Sequence, residues 1–535
     1  MKQISPNEWW RGAVIYQIYP RSFADANGDG VGDLAGITAR LDHVASLGVD
    51  AIWISPVFKS PMKDFGYDVA DYRAIDPLFG TLADFDALIA RAHALGLKVI
   101  IDQVLSHTSD QHAWFTESRA SQTNPKADWY VWADPKPDGS PPNNWLSVFG
   151  GSAWQWDGVR RQYHLHSFLA SQPDLNFHCP AVRAALLADV AFWCQRGVDG
   201  FRFDACNHQF HDARLRDNPP ASAAQQAGVT TVRPDNPYAM QRHLHDKSQP
   251  ENLAFLGDLR RVLDAHGATS VGEVGDENPA SLMAAYTAAG QRLHMAYSFA
   301  LLTGTVSAAH IRREVEQLDA ALAATGGWGC WALSNHDVPR VASRWGGRPE
   351  TWLALLLTLR GSACLYQGEE LGLPEAELTY EQLRDPYGIA FWPAFKGRDG
   401  CRTPMPWQAG EPHAGFSRVP PWLPVPAEHA ARAVDTAPAS LAFTRALLAW
   451  RRAEPALRMG AISFLDTPEP VLAYTRTDGQ GRGWLLAFNL GAEPVAFTPP
   501  LAAKAAPETP LPVVQGGQLP PWGTAAWRLG SDGIP

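Results

Sequence analysis

The chain reads as an α/β protein built on a (β/α)8 barrel, and three observations predict that fold. Short apolar runs with strand character recur, each followed by a stretch compatible with a helix. Runs such as Ala-Ile-Trp-Ile-Ser (51–55) and Lys-Val-Ile-Ile-Asp (98–102) are apolar almost throughout, as strands buried on both faces of a parallel sheet must be. Acids and histidines stand where these runs end, on the face where such barrels carry their loops. At 535 residues the chain exceeds one ordinary domain, yet a barrel with insertions absorbs about 400.

The elements follow in order. Strands are predicted at Ala13–Tyr19, Ala51–Ser55, Lys98–Val104, Gly200–Asp204, Thr269–Val274, Gly329–Leu333 and Ala363–Gln367, with a weaker one near His294–Phe299. Helical stretches such as Leu82–Leu95 and Val182–Gln195 alternate with them, which predicts a closed parallel barrel. Between Ser106 and about Ser171 the pattern breaks into Asp, Pro, Gly and Trp clusters, including Trp132, Trp145, Trp154 and Trp156. That stretch is too long for a structureless loop, so residues 106–171 are read as a subdomain inserted after the third strand. A second insertion at 211–251, polar and proline-rich, follows the fourth strand and fits a mobile lid and an ordered surface loop equally well. From about Ala461 alternating runs appear (Ala461–Leu465, Val471–Thr475, Trp484–Asn489, Pro494–Phe497), which predict an antiparallel β-sandwich over 461–535. The barrel then takes residues 1–105 and 172–460.

With 46% hydrophobic and 19% charged residues, a large core is easily built. A net charge of −10 argues against nucleic acid or an anionic membrane as partner. Residues 1–12 hold no apolar stretch long enough for a signal peptide, and no run approaches the roughly 20 apolar residues of a membrane helix. The six cysteines show no CxxC or paired spacing and are expected to be free buried thiols in a reducing cytoplasm. A monomer or homodimer is expected.

Four segments carry the chemistry: Ile100-Ile-Asp102-Gln-Val-Leu-Ser-His107, Gly200-Phe-Arg202-Phe-Asp204-Ala205, Val271-Gly-Glu273-Val and Leu333-Ser-Asn-His336-Asp337. Asp204 and Glu273 end neighbouring strands, where two carboxyls can meet the separation of about 5–5.5 Å that retaining glycoside cleavage requires. Glu273 would need a raised pKa, to which Val271 and Val274 can contribute. Arg202, two residues before Asp204 and so on the same strand face, would hold that carboxylate ionised. Asp337 can accept hydrogen bonds from sugar hydroxyls, while His107 and His336 can donate them. Salt bridges at a barrel rim explain any one of these acids but not the set. No cluster of His ligands converges on the strand ends, which disfavours a metal-dependent hydrolase.

The segment Asp25-Ala-Asn27-Gly-Asp29-Gly-Val31-Gly-Asp33 supplies oxygen ligands at alternate positions, like the start of an EF-hand loop. It is expected to hold one structural divalent cation, Ca2+ or Mg2+; the alternative is an Asx-rich turn without metal.

Together these segments resemble the α-glucosidases of glycoside hydrolase family 13, the α-amylase family, close to its oligo-1,6-glucosidase group. Gln172-Pro-Asp174-Leu-Asn176 and Gly397-Arg398-Asp399-Gly-Cys-Arg402-Thr-Pro-Met-Pro-Trp407 add to the resemblance, which spans almost the whole chain. It implies that Asp204 is the nucleophile, Glu273 the general acid/base and Asp337 the transition-state stabiliser. It implies that Arg202, His107 and His336 bind the glucose being cleaved. Tyr67 and Asp68 would floor that subsite, with Arg402 as the partner of Asp68, closing the pocket so that cleavage is exo-acting. Phe168 and Phe299 would wall the next sugar. Ala205 resembles the small residue of α-1,4-acting members, and the group carries a divalent cation in the 25–33 loop. Ser106, Gln103, Val338 and Pro406 depart from the usual pattern without removing a charge from the mechanism. The function expected is an exo-acting retaining α-glucosidase that releases glucose from short α-glucosides such as maltose and transfers glucose to alcohol or sugar acceptors, with no organic cofactor. The alternative is an isomerising relative of the sucrose isomerase or trehalose synthase type. A non-catalytic transporter-associated relative is disfavoured, because all three acids are present and no membrane helix is.

Overall fold

The computed structural model describes residues 8–530 apart from 228, 230, 231, 234, 501, 502, 507, 513, 515 and 516. Residues 1–7, part of the segment read for a leader, and 531–535, the end of the expected C-terminal sandwich, lie outside the described residues.

Eight parallel strands form one sheet: β1 Val14–Ile18, β2 Ala51–Ile54, β3 Lys98–Val104, β4 Gly200–Asp204, β5 Thr269–Val274, β6 Met295–Ser298, β7 Cys330–Ala332 and β8 Ser362–Tyr366. Their order is β6-β5-β4-β3-β2-β1-β8-β7, and a single parallel bridge, Ala296 to Gly329, joins β6 to the start of β7 and closes the ring. Helices α1 Leu34–Leu47, α2 Leu82–Ala94, α3 Pro180–Gln195, α4 Asn252–His266, α5 Pro279–Tyr286, α6 Ala308–Thr325, α7 Pro349–Thr358 and α8 Pro438–Ala453 accompany them. Local chemistry sets their starts: Asp33 caps α1 through the Gly36 amide, and Thr81 with Asp84 forms a capping box on α2.

The lumen changes character along its axis. Ile15, Ala51, Ile100, Val271, Met295, Cys330 and Cys364 fill it with apolar side chains. One residue pair further along each strand, the same inward face presents Gln17, Trp53, Asp102, Arg202, Glu273 and Tyr297, all buried. A period of two therefore converts an apolar plug into a polar floor at the C-terminal end of the barrel.

The insertion after β3 contains a helix, Ala113–Ala120, and a three-stranded antiparallel sheet of Trp132–Ala133, Gln162–Leu165 and Trp154–Asp157. Beyond α8, strands Ala461–Phe464, Val471–Thr477, Gly483–Asn489, Thr524–Leu529 and Ala503–Ala505 make a five-stranded antiparallel sheet in that order. One of its faces covers a two-stranded sheet, Val495–Ala496 with Gln518–Leu519, around Val471, Leu485, Phe497 and Trp527. The other face joins the main core through Leu472, Tyr474, Leu486 and Phe488. Tyr474 and Thr358 of α7 share a hydroxyl hydrogen bond of 2.7 Å across that contact. All six cysteines are free thiols. Among the described residues no helix is long and apolar enough to cross a membrane.

Candidate active site

Strand register assembles the centre of the site. On β3 and β4, Asp102 lies opposite Arg202 and Val104 opposite Asp204; on β5 and β6, Glu273 lies opposite Tyr297. Arg202 is wholly buried, so its charge must be met inside the protein. Its Nη1 donates to Asp204 Oδ1 at 2.6 Å and to Asp102 Oδ1 at 3.0 Å. Its Nη2 lies 2.6 Å from Glu273 Oε1 and donates to the Tyr297 hydroxyl at 2.8 Å. Tyr297 in turn donates to Glu273 Oε1 at 3.0 Å. Ala205, directly after Asp204, adopts a left-handed φ of 38°, and its amide donates to Glu273 Oε2 at 3.0 Å. Asp102 also accepts from Trp53 Nε1 and from the Tyr67 hydroxyl. One guanidinium thus holds three carboxylates.

Burial pushes these acids up and Arg202 pulls them back: Asp102 rises to about 6, and Asp204 and Glu273 each rise to about 7. Near neutrality the Asp204–Glu273 pair is therefore poised to carry a proton. Asp337, beyond β7, goes the other way. Burial would raise it, but the His336 ring, which adds its charge only in acid, and the Arg402 and Arg398 guanidiniums, charged throughout, outweigh burial and hold its carboxyl well below the usual range. Arg402 Nη2 donates to Asp337 Oδ1 at 2.9 Å and Arg398 Nη1 at 3.4 Å.

Here the structure corrects the expected pairing. Arg402 does not reach Asp68; besides Asp337, its Nε donates to the His336 carbonyl. Asp68 is fully buried in its own turn, accepting from Ser60 Oγ, the Lys63 amide and the Asp64 amide. The residue turned toward the cavity is Asp64, which accepts from Arg398 Nη2 at 2.8 Å and Gln172 Nε2 at 3.0 Å. The reason is local: Phe65 and Gly66 both have positive φ, and a Cβ at Gly66 would meet the Pro56 carbonyl at 3.0 Å. This tight reversal folds Asp68 inward and presents Asp64. Arg398 also forms a two-pronged pair with Asp385, whose carboxyl, despite burial, is drawn down to about 2.

A cavity opens above this floor. Asp204, Glu273, Asp337, Tyr67, His107, Phe168 and Phe299 line it, as the sequence led one to expect; Asp64, Arg398, Val148, Phe149, Val338 and Tyr387 line it as well. Arg202, Ala205, Asp68, His336 and Arg402 stand behind the surface. His336 shows why: Gln17 Nε2 reaches its Nδ1 at 2.7 Å, its Nε2 meets the Tyr67 hydroxyl, and its ring lies nearly parallel to Tyr67 and Tyr19. Burial lowers its pKa to about 3, so the ring is neutral. His107, lowered by burial to about 4, is also neutral and contacts the Tyr67 carbonyl through Nε2.

The Gln172–Asn176 segment has a clear structural use. Asp174 accepts from the amide and hydroxyl of Ser167, and Gln172 Oε1 accepts from the Leu169 amide, which together clamp the loop that presents Phe168. Arg398 was legible only as a member of the Gly397–Trp407 segment and Asp64 went unread beside Tyr67 and Asp68; Val148, Phe149 and Tyr387 lie in insertions with no distinguishing residue pattern.

The 25–33 loop offers three carboxylates, one amide oxygen and the Val31 carbonyl, a donor set whose chemistry suits a hard divalent cation. Its side chains also organise the turn. Asp25 accepts from the Gly28 and Gly30 amides, Asp29 from Val31, and Asp33 from Ala26, Asn27 and Gly36. Among the described residues no three His, Cys, Asp or Glu side chains converge as metal ligands.

A (β/α)8 barrel with carboxylates at the ends of β4 and β5 and beyond β7, gathered around buried arginines, defines a barrel enzyme with an acid–base site. Comparison with known proteins gives the family. Residues 17–460 match the model for the alpha amylase catalytic domain. A probable alpha-glucosidase of Rhizobium meliloti is 54% identical, covering 98% of this chain and 97% of that protein, and the oligo-1,6-glucosidase of Heyndrickxia coagulans is 38% identical, covering 92% and 94%. The crystal structure of the alpha-glucosyl transfer enzyme XgtA superposes with a TM-score of 0.93 at 57% identity, covering 98% of this chain and 99% of that one. The trehalulose synthase MutB of Pseudomonas mesoacidophila superposes at 0.87 with 33% identity, covering 98% and 99%. The chain belongs to glycoside hydrolase family 13, the α-amylase family, and is a glycoside hydrolase.

The guanidinium at the centre makes a testable demand. Arg202→Met strips three buried carboxylates of their cation and is expected to cost about 3–5 kcal/mol. Without the cation the folded-state pKa values move further above the unfolded values of roughly 4, so the folded protein binds extra protons and loses stability as pH rises. Thermal scans should show the Tm deficit against wild type growing from about pH 5 to about pH 8; a deficit that shrinks over that range contradicts the assignment.

Proposed function

We propose that the protein is an exo-acting, retaining α-glucosidase that removes glucose from the non-reducing end of short α-glucosides and passes part of it to acceptor hydroxyls. The observation that carries this reading is the pairing of Asp204 and Glu273 on adjacent nitrogens of one guanidinium, at the floor of a cavity that also holds Asp337. A single guanidinium keeps two carboxyls close together, which favours the short separation of retaining enzymes over the wider gap that inversion needs. Asp204 attacks the anomeric carbon as Glu273 gives its proton to the leaving oxygen. Glu273, then ionised, takes a proton from water or from an acceptor hydroxyl, whose oxygen displaces Asp204 from the sugar. Asp337, kept anionic by Arg402 and Arg398, is suited to accept hydroxyl hydrogen bonds that shorten in the oxocarbenium-like transition state. The Asp64–Arg398 pair supplies a polar end for the non-reducing glucose, the role expected of Asp68 and Arg402. The relatives named as an alpha-glucosidase and as an alpha-glucosyl transfer enzyme support hydrolysis and transfer alike.

Time-resolved product analysis with maltose, isomaltose and sucrose tests this. Free glucose from maltose, with slower release from isomaltose as Ala205 suggests, is expected. A new disaccharide as main product would move the assignment to the isomerising class of MutB. The pH profile of kcat/KM should be bell-shaped around about 7, because a second proton on the Asp204–Glu273 pair silences the nucleophile and loss of the last removes the acid. A profile flat from about pH 5 to 9 contradicts the pairing.

We also propose that Asp25, Asn27, Asp29, Val31 and Asp33 hold one divalent cation, Ca2+ or Mg2+, whose service is to stiffen the loop before α1. What supports this is the oxygen donor set. Chelation should lower Tm by several degrees while changing turnover at moderate temperature little; an unchanged Tm contradicts it.

A further inference from the structure

The two carboxyl oxygens of Glu273 are held unequally. Oε1 accepts the Tyr297 hydroxyl at 3.0 Å and lies 2.6 Å from Arg202 Nη2. Oε2 accepts the Ala205 amide at 3.0 Å and, among the described residues, no second donor. The direction of the phenol proton is forced. A guanidinium only donates, and Arg202 gives two N–H groups to the Tyr297 oxygen, Nη2 at 2.8 Å and Nε at 3.2 Å. The hydroxyl's own proton is left for Glu273, and a hydroxyl that accepts from a cation is polarised into a stronger donor. Strand register makes this arrangement. Tyr297 on β6 lies opposite Glu273 on β5, and its side chain is wholly buried behind the cavity surface. Burial pushes its pKa well up, so the phenol keeps its proton throughout the working range.

We propose that Tyr297 is a positioning residue for the general acid: it holds Oε1 as an acceptor and so leaves Oε2 to carry the proton given to the leaving oxygen. This rests on the reading of Glu273 as the acid of a retaining α-glucosidase. A phenol and a guanidinium together fill both lone-pair directions of Oε1, whereas Oε2 keeps one open. In the first step the Oε2–H bond breaks and its proton joins the leaving oxygen. The glycosidic bond passes its electron pair to that oxygen, and Asp204 forms the new bond to the anomeric carbon. Negative charge settles on the Glu273 carboxyl beside a donor already in place, so the Tyr297 bond strengthens as the proton departs. In the second step Glu273 starts as the anion and takes a proton from water or an acceptor hydroxyl while the bond to Asp204 breaks. Tyr297 therefore serves proton donation more than proton recovery. Its contribution falls on substrates whose leaving group must be protonated.

Tyr297→Phe in the full-length protein keeps the ring and removes the hydroxyl. It should lower kcat/KM for maltose, whose departing sugar hydroxyl is a poor leaving group, about tenfold, the effect of one hydrogen bond to a developing charge. For para-nitrophenyl α-glucoside, whose phenolate leaves with little help, the loss should stay within about twofold. The alkaline limb of the maltose profile should move up, because the ionised carboxyl has lost a donor. Fluorinating the Tyr297 ring, by incorporating a ring-fluorinated tyrosine at that codon, keeps the shape and makes the hydroxyl a stronger donor. There the alkaline limb should move down, a reading that stands even where the phenylalanine variant fails to fold. An equal loss on both substrates, which a merely structural role would give, overturns the proposal, as does an alkaline limb that stays in place or moves against these signs. A wild type that releases glucose from neither substrate defeats the functional reading of the site, and this proposal with it.

Discussion

A single positive charge, fully withdrawn from water, governs the upper half of this barrel. Isolating a guanidinium in a protein interior costs several kcal/mol unless its donors are met by well-placed acceptors. Arg202 meets that condition with Asp204 of its own strand, Asp102 and Glu273 of the strands on either side, and the Tyr297 hydroxyl from β6. The register of β3 to β6 is thereby tied to electrostatics as well as to packing. A one-residue slip of β4 would turn Arg202 and Asp204 outward into the apolar layer between strands and helices and leave Asp102 and Glu273 in the lumen without a cation.

The same constraint shapes the chemistry. Two carboxyls bound to one cation cannot both behave as isolated acids, and burial lifts each toward neutrality. The third acid is handled differently. Asp337 sits against two guanidiniums of its own and stays ionised. The site therefore holds a proton-carrying pair and a fixed anion within one cavity, a division set by which arginines each acid touches. The barrel strands and the turns beyond them hold those arginines at their stations. Arg398, for example, is locked between Asp64 and Asp385, on segments far apart in sequence.

What could be read from sequence follows from which signals are local. The strands were legible because burial on both faces leaves continuous apolar runs, and Gly200–Asp204 and Thr269–Val274 have the predicted bounds. The three acids were legible because they end those runs. Asp64 was passed over in favour of Asp68 because both flank the same turn, and only the positive φ of Phe65 and Gly66 decides which carboxylate faces the cavity. His336 and Arg202 were expected to touch sugar, yet their partners Gln17 and Tyr297 lie hundreds of residues away or on other strands and draw them behind the surface. In the C-terminal sheet, Thr524–Leu529 went unpredicted although it lies beside the central strand Gly483–Asn489, its Ala-Ala-Trp run giving little alternation to read. Val148, Phe149 and Tyr387 meet through the Phe149–Tyr387 ring contact and through Asn236, which bonds the Val148 carbonyl and the Tyr387 hydroxyl, long-range ties that no sequence period encodes.

The claim on which the account turns is that Asp204, held by Arg202, becomes bonded to the sugar. The direct measurement is to incubate the enzyme with a fluorinated glucosyl fluoride that forms the glucosyl-enzyme quickly and releases it slowly, then to map the added mass by peptide mass spectrometry. The account predicts one glucosyl adduct per chain, on Asp204. An adduct on another carboxylate, or steady consumption of the reagent with no covalent species, would contradict it.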